Sequence, residues 1–280
     1  MPELPEVETM RRGVLPVLGS RILEVRFPDH GYRPIHLEPE AGEFSRSVAG
    51  QTIEEITRRG KRLLFKLGNE QVVLVEPRMT GLVLLSDPPD LEHLRVGFRL
   101  DHADYPWLWF WDRRGLGRVL CLPEAEVLRR LGPEVLGVDA LVATAADLAR
   151  SLGTSRRAVK VALLDQRAIA GIGNLYASEI LHLAGVDPRV PCLRLKPRQW
   201  QSIHRAIGEV LEDAILHEGS TLSDGTYRNA LNQQGGYQNH HRVYDRAGDP
   251  CPRCHLGTIH RIVQAQRSTF FCPQCQKRRG

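Results

Sequence analysis

The chain opens Met1-Pro2-Glu3-Leu4-Pro5-Glu6-Val7-Glu8-Thr9, a string with two prolines and three glutamates that is unusual for structure and useful for chemistry. Methionine before a small residue is normally trimmed, so the mature chain is expected to begin at Pro2 with a secondary amine. A terminal amine has an ordinary pKa of about 7.7–8.0, so much of it is the unprotonated nucleophile at neutral pH. That suits a Schiff base with a sugar aldehyde. A secondary amine gives a permanently charged iminium, which draws electrons without first capturing a proton. Glu3, next in sequence, is placed to move protons.

The rest of the chain is long enough to support such a site. Its 280 residues, 42% hydrophobic and 25% charged, describe globular domains with cores of ordinary size. No apolar run approaches the ~18 residues of a membrane span, and the acidic, proline-bearing start lacks the basic-then-apolar pattern of a signal peptide. A cytoplasmic protein is expected. The net charge is +5, and from His240 onward eight Lys and Arg face only Asp245 and Asp249. The excess positive charge therefore sits in the last segment, where a polyanionic partner is expected.

Short alternating apolar runs fill the first half after a helix expected at roughly Met10 to Leu18. They are Arg21 to Arg26, Arg62 to Leu67, Gln71 to Val75, Leu82 to Leu85, Val96 to Leu100 and Trp107 to Trp111. With turn residues between them, they predict antiparallel strands of a sandwich or flattened barrel. Beyond Val138 the spacing turns helical over Ala143–Leu152, Ser155–Asp165, Asn174–Ala184 and Pro197–His217, with Ser155 and Asn174 as expected N-caps. A loop rich in Gly, Asn and Gln follows from Ser223 to Gln238. The expected class is α+β and multidomain: a β-sandwich domain over 1–138, a helical domain over 139–238 and a metal module over 239–280.

Cys251-Pro-Arg-Cys254 and Cys272-Pro-Gln-Cys275 are separated by seventeen residues. Each knuckle puts two thiolates on one side of an ion and a hairpin spans the interval, which fits one tetrahedral structural zinc. Cys121 and Cys192 stand alone and read as buried thiols. Between the knuckles, Gln264-Ala-Gln-Arg267-Ser-Thr-Phe-Phe puts an arginine near the turn of a basic hairpin. Upstream, Gly171-Ile-Gly173-Asn174 leads into a helix, an arrangement that can present backbone N–H groups to an anion. Arg58-Arg59-Gly60-Lys61-Arg62 is a charge run before a strand, of the kind that also guards a sheet edge.

Taken together, the opening string, the glycine turn and the terminal knuckles resemble the formamidopyrimidine-DNA glycosylases, bacterial repair enzymes that excise oxidised purines. The resemblance runs in order from Pro2 to Lys277 and implies a β-sandwich with a flanking helix, a helix-two-turn-helix domain and a zinc-ribbon hairpin. It implies a base-excision-repair enzyme that is both glycosylase and abasic-site lyase, acting on formamidopyrimidines and 8-oxoguanine in double-stranded DNA. Monomeric action suffices, because a single lesion needs no symmetry. Pro2 would be the nucleophile, Glu3 the proton carrier, Glu6 a hydrogen-bonding support, Lys61 the residue serving the first elimination and Arg267 the second.

Residue by residue, Met79 in Pro77-Arg-Met-Thr-Gly81 matches the methionine that fills the hole left by an everted base. His93, Arg114, Arg156, Lys160 and Asn174 match DNA-contact positions. Leu116 stands where the family usually has a wedge phenylalanine, and the 223–244 segment departs from the family's lesion-cap pattern, so lesion preference stays open. An endonuclease VIII-like enzyme for oxidised pyrimidines shares the nucleophile and fold. A non-catalytic damage-binding protein would keep the zinc module and helical turn but would have no use for Pro2, Glu3 and Lys61 together.

Overall fold

A computed structural model describes residues 1–28 and 31–277; Arg278 and Arg279, counted above in the basic tail, lie outside the described residues. In chain order the first part carries α1 (Leu4–Gly13), β1 (Ile22–Arg26), β2 (His36–Glu38), α2 (Ala41–Val48), β3 (Ile53–Arg59), β4 (Arg62–Leu67), β5 (Gln71–Glu76), β6 (Gly81–Leu84), β7 (Leu94–Leu100), β8 (Trp107–Asp112), β9 (Arg118–Pro123) and α3 (Glu124–Arg130). The strands form a four-stranded sheet, ordered β1-β7-β8-β6, and a five-stranded sheet, ordered β2-β9-β5-β4-β3. Strand β4 buries Leu63, Phe65 and Leu67 and turns Arg62, Leu64 and Lys66 outward, the period-two pattern of a sheet with one covered face. Val7 and Met10 of α1, Phe44 of α2 and inward residues of both sheets share one core.

The sandwich is antiparallel as expected, with one exception: β2 runs parallel to β9. No tight hairpin joins these two strands, so turn geometry does not dictate their direction. Strands β2, β3 and β9 lie outside the expected apolar runs. Strand β3 shows why: its burial pattern leaves only Ile53 and Ile56 buried among charged neighbours. The first helix also starts earlier than its apolar spacing suggests, at Leu4 rather than Met10. The Glu6 carboxylate accepts the Glu3 backbone N–H at 2.8 Å in a capping box, and Pro5 sits in the first turn. Beyond Gly13 the chain makes only a short 3₁₀ turn, Leu15–Val17.

The second part carries β10 (Val138–Asp139), α4 (Ala145–Leu152), α5 (Val159–Leu163), β11 (Ile169–Ala170), α6 (Asn174–Ala184), α7 (Pro197–Leu216), β12 (His260–Gln264) and β13 (Arg267–Phe271). Helix α5 is shorter than expected, and Ser155 does not cap it. Residues 155–158 are non-helical instead, with a bend at Arg157, and are bonded to the 191–193 segment through Leu193 N–H to Ser155 O and Cys192 N–H to Arg157 O at 3.0 Å each. Asn174 is the first residue inside α6, and Gly173 holds the cap position.

The chain divides into two compact units. One contains Met1–Gly132 and Ile215–Gln238, and the other contains Pro133–Ala214 and the chain from Asn239 onward. The expected three-part division kept 215–238 with the helices. In the structure this segment returns to the sandwich, where Tyr227 and Ala230 join its core and Leu85 N–H bonds to Ala230 O at 2.8 Å. No helix among the described residues is long and apolar enough to cross a membrane.

Candidate active site, nucleic-acid interface and zinc centre

Pro2 is buried at the N-terminus of α1, next to the half-exposed Met1. Glu3 and Glu6 are almost wholly enclosed. Each Glu6 oxygen has a backbone donor, with Oε2 taking Glu3 N–H at 2.8 Å and Oε1 taking Ser220 N–H at 2.9 Å. Gly219, beside Ser220, has φ +78°, and a Cβ there would lie 3.0 Å from Glu6 and from Tyr227. A glycine is therefore required for the returning loop to reach the Glu6 carboxylate. The Tyr227 hydroxyl bonds to Glu218 O at 3.0 Å, and burial raises its pKa further above the ordinary tyrosine value. These contacts fix the acidic start of α1 from behind.

Lys61 lies in the turn between β3 and β4, after Gly60. The turn is held against α1 by Arg58, whose Nε is 3.1 Å from a Glu8 carboxylate oxygen. Arg11 and Arg12 bind the same carboxylate at 2.9 Å each. Burial pushes the Glu8 pKa up, but the guanidinium groups of Arg11, Arg12 and Arg58 outweigh it and bring it down to about 2. The lysine turn and the N-terminal helix thus share one electrostatic anchor within the sandwich.

Thr80, next to Met79, together with His93, Arg114 and Leu116 come from three separate stretches and meet around Asp112, which is fully buried at the end of β8. Its carboxylate accepts the Thr80 hydroxyl, the Leu116 N–H at 2.8 Å and the Gly117 N–H at 2.7 Å. Arg114 N–H lies 3.0 Å from Thr80 Oγ1 and 3.2 Å from the same carboxylate. The Asp112 N–H donates to His93 O at 2.9 Å. Nothing in the string marks Asp112 beyond an aspartate before Arg-Arg-Gly-x-Gly, a pattern in which a short carboxylate often caps its own turn. The Arg114 side chain stays exposed, while Met79 and Leu116 are half-buried. His93 is less open, its Nδ1 held 2.9 Å from Asp90 Oδ1.

In the second unit Gln166 staples the glycine turn. Its Oε1 accepts Gly171 N–H at 2.9 Å, and its Nε2 donates to Ile172 O at 2.8 Å. Asn174 follows, and the Lys160 ammonium donates to its Oδ1 at 2.5 Å and to Ser268 O at 3.4 Å. Lys160, expected to contact DNA, is 0% exposed here, its ammonium enclosed beside Asn174. An ammonium has only donors, so it takes the oxygen end of the Asn174 amide and turns the NH₂ end toward whatever acceptor arrives. Arg156 is exposed, as is Arg267 at the start of β13. Ala265 and Gln266 turn the hairpin with φ +46° and +61°, and so place Arg267 beside its tip, opposite Gln264.

The sulfurs of Cys251, Cys254, Cys272 and Cys275 all lie within 4.8 Å of one another. Cys251 and Cys275 are 3.8 Å apart, and Cys254 and Cys272 are 3.7 Å apart. Four thiolates about 2.3 Å from a tetrahedral ion have edges of about 3.8 Å, so the donor set fits one structural zinc. The module is tied to α6 by two side chains whose role the spacing of the knuckles does not reveal. The Glu179 carboxylate takes the N–H groups of Arg242, Val243 and Tyr244 at 2.8–2.9 Å. Burial pushes that carboxyl up, against the pull of the three N–H bonds. His182 reaches Cys251. Cys121 and Cys192 are buried thiols, both pushed up to about 11 by burial.

Three family models match the chain: the formamidopyrimidine-DNA glycosylase N-terminal domain over residues 1–119, the H2TH domain of the same enzymes over 131–226, and a zinc finger found in FPG and IleRS over 248–278. A formamidopyrimidine-DNA glycosylase of Chloroflexus aurantiacus is 45% identical over 99% of this chain and 98% of its own. The crystal structure of the MutM (Fpg) protein of Thermus thermophilus superposes with TM-score 0.85 at 36% identity, covering all of both chains. That of Lactococcus lactis Fpg in complex with abasic-site DNA gives 0.87 at 30% identity, covering 99% of this chain and 100% of the other. The chain belongs to the formamidopyrimidine-DNA glycosylase family.

Proposed function

We propose that this protein is a bifunctional glycosylase and abasic-site lyase of base excision repair, acting on oxidised purines in duplex DNA. The observation that carries the reading is the N-terminal segment, where Pro2 and Glu3 are enclosed and anchored through Glu6 to a loop more than 200 residues away in sequence. A frayed terminus has no need of such support. Once Met1 is removed, the Pro2 nitrogen becomes the nucleophile. A target base must first leave the stack, at a cost of about a few kcal/mol. Met79 and Leu116 then occupy the vacated space while Arg114 faces the widowed partner base.

The Pro2 nitrogen attacks the anomeric carbon and the base departs with the bonding electrons. Glu3 assists opening of the sugar ring and carries later protons, and the resulting iminium acidifies the neighbouring carbon. Lys61 serves the first elimination and Arg267 the second, leaving a one-nucleoside gap. Asn174, backed by Lys160, and Arg156 grip phosphates; a DNA partner as such is supported by the abasic-site DNA complex of the Lactococcus lactis relative.

Borohydride trapping tests the reading. Lesion duplex and enzyme should give a covalent adduct whose peptide map ends at Pro2, and protein retaining Met1 should give none. Trapping by the Met1-retaining form would overturn Pro2 as nucleophile, and no adduct with any lesion would favour a non-catalytic damage-binding protein. Parallel excision from 8-oxoguanine and thymine-glycol duplexes distinguishes the purine reading from an endonuclease VIII-like one.

A further inference from the structure

We propose that His182 is an outer-sphere component of the zinc centre: its imidazole N–H hydrogen-bonds the Cys251 thiolate and so protects that ligand from oxidants and the ion from release. His182 Nε2 lies 3.3 Å from Cys251 Sγ, and both residues are 0% exposed. A zinc-bound thiolate has lone pairs and no proton, so at this separation the ring nitrogen must be the donor. That choice makes Nδ1 the acceptor nitrogen of a neutral ring, and Nδ1 is buried with no hydrogen-bond partner among the described residues. The imidazole therefore has one productive contact, and it is with the sulfur. An apolar ring in the same space would avoid stranding Nδ1, so the N–H to sulfur bond is what the histidine adds.

The donor is held firmly. His182 is on α6 three residues after Glu179, on the same face, and the three backbone bonds to Glu179 fix this face against the 242–244 strap. At the far side, Arg253 of the first knuckle donates to His182 O at 3.2 Å, so the knuckle grips the helix end at the residue that donates to its cysteine. Gln276 adds a third tie, from Nε2 to Val186 O at 2.8 Å. Rotation of the ring away from Cys251 would strand a second buried nitrogen. Such outer partners orient metal ligands and tune their basicity.

The consequence is chemical. Attack of the Cys251 sulfur on hydrogen peroxide forms an S–O bond, breaks the O–O bond and releases hydroxide, two electrons passing from sulfur to peroxide to give a sulfenic acid. A sulfenylated ligand holds zinc poorly and the ion leaves. A hydrogen bond to the sulfur lone pair draws off the electron density that makes this attack. The inference concerns the metal module and stands whether or not the proposed excision chemistry is right.

The test uses the zinc-loaded full-length protein and a metallochromic chelator that reports free zinc during peroxide exposure. His182→Phe, which keeps the ring volume without a donor, should release zinc about fivefold to tenfold faster than the unaltered chain. His182→Gln, which can return an N–H, should fall between them. In the cobalt-substituted proteins, the sulfur-to-metal charge-transfer band should move to lower energy in His182→Phe and not in His182→Gln. Equal release by all three proteins with unchanged bands would overturn the proposal, as would equal acceleration by both variants, which would indicate packing alone. If the variants do not fold, the unaltered protein loaded with cadmium-113 decides by NMR. A scalar coupling between cadmium and the His182 Nε2 proton is expected, and its absence would overturn the assignment.

Discussion

Asp112→Ala should loosen the Met79–Arg114–Leu116 cluster while sparing the rest of the sandwich. The vacated carboxylate leaves four donors, the Thr80 hydroxyl and the N–H groups of Arg114, Leu116 and Gly117. Thr80 and Gly117 are buried, whereas Arg114 and Leu116 are reached by water. Two stranded buried donors at about 1–3 kcal/mol each, partly relieved by water entering the space, give a cost of about 3 kcal/mol. A unit of this size loses about 2–4 °C in Tm per kcal/mol, so calorimetry should show the sandwich transition falling by about 10 °C. Asp112→Asn keeps one acceptor oxygen and should lose about half as much. Excision of a lesion base from duplex should suffer more than cleavage of a pre-formed abasic site, because the latter needs no base held out of the stack. A fall below about 2 °C, or equal losses on both substrates, would refute Asp112 as the organiser of this cluster.

Four further outcomes are expected. Glu8, depressed from an ordinary 4.5 to about 2, contributes stability that is complete above pH about 4.5 and is lost as pH falls toward about 2; discounted for screening this is about 2 kcal/mol, so Glu8→Gln should flatten the acid limb of a Tm-versus-pH curve, and an unchanged limb would count against the Arg58 anchor. Lys160→Met should weaken DNA binding without altering its salt slope, since an enclosed ammonium meets no phosphate, whereas Arg156→Ala should lower the slope by about one unit; a one-unit drop in Lys160→Met would return that residue to the interface. Leu116→Phe supplies an aromatic wedge and should change excision from duplex while leaving abasic cleavage nearly intact, and equal effects on both would make Leu116 a packing residue. Stripping zinc should abolish DNA binding while the sandwich keeps its thermal transition, because the small terminal module has too little core to hold its shape without metal; binding that survives in metal-free protein would overturn this.

The parts of the molecule legible in the sequence are those whose physics is local. Two CxxC knuckles a hairpin apart specify a tetrahedral thiolate site, since each pair of ligands is three residues apart and the turn between them is short. Alternation in β4 and helical spacing in α7 report one buried face each, α6 is apolar enough to be buried on every side, and the structure keeps those elements nearly residue for residue. Even there the ends moved, because caps depend on single hydrogen bonds: Glu6 starts α1 at Leu4, and the pairing of 155–158 with 191–193 delays α5 to Val159. What tertiary structure alone decided is where charge is spent. Lys160, Glu179, His182 and Asp112 have the residue types of a solvated surface, yet all four are fully enclosed. Their partners lie up to 108 residues away in sequence, as Ser268 does from Lys160. A buried polar group is tolerated only when its donors or acceptors are met, and the groups that meet them are brought near by the packing of apolar faces that carry no record of which polar atoms will coincide. Thus the string announces an N-terminal proline beside a glutamate, a lysine turn and a zinc site, while the fold determines that Asp112 gathers Thr80, Arg114 and Leu116, that Lys160 holds the Asn174 amide, and that the loop around Gly219 supports Glu6.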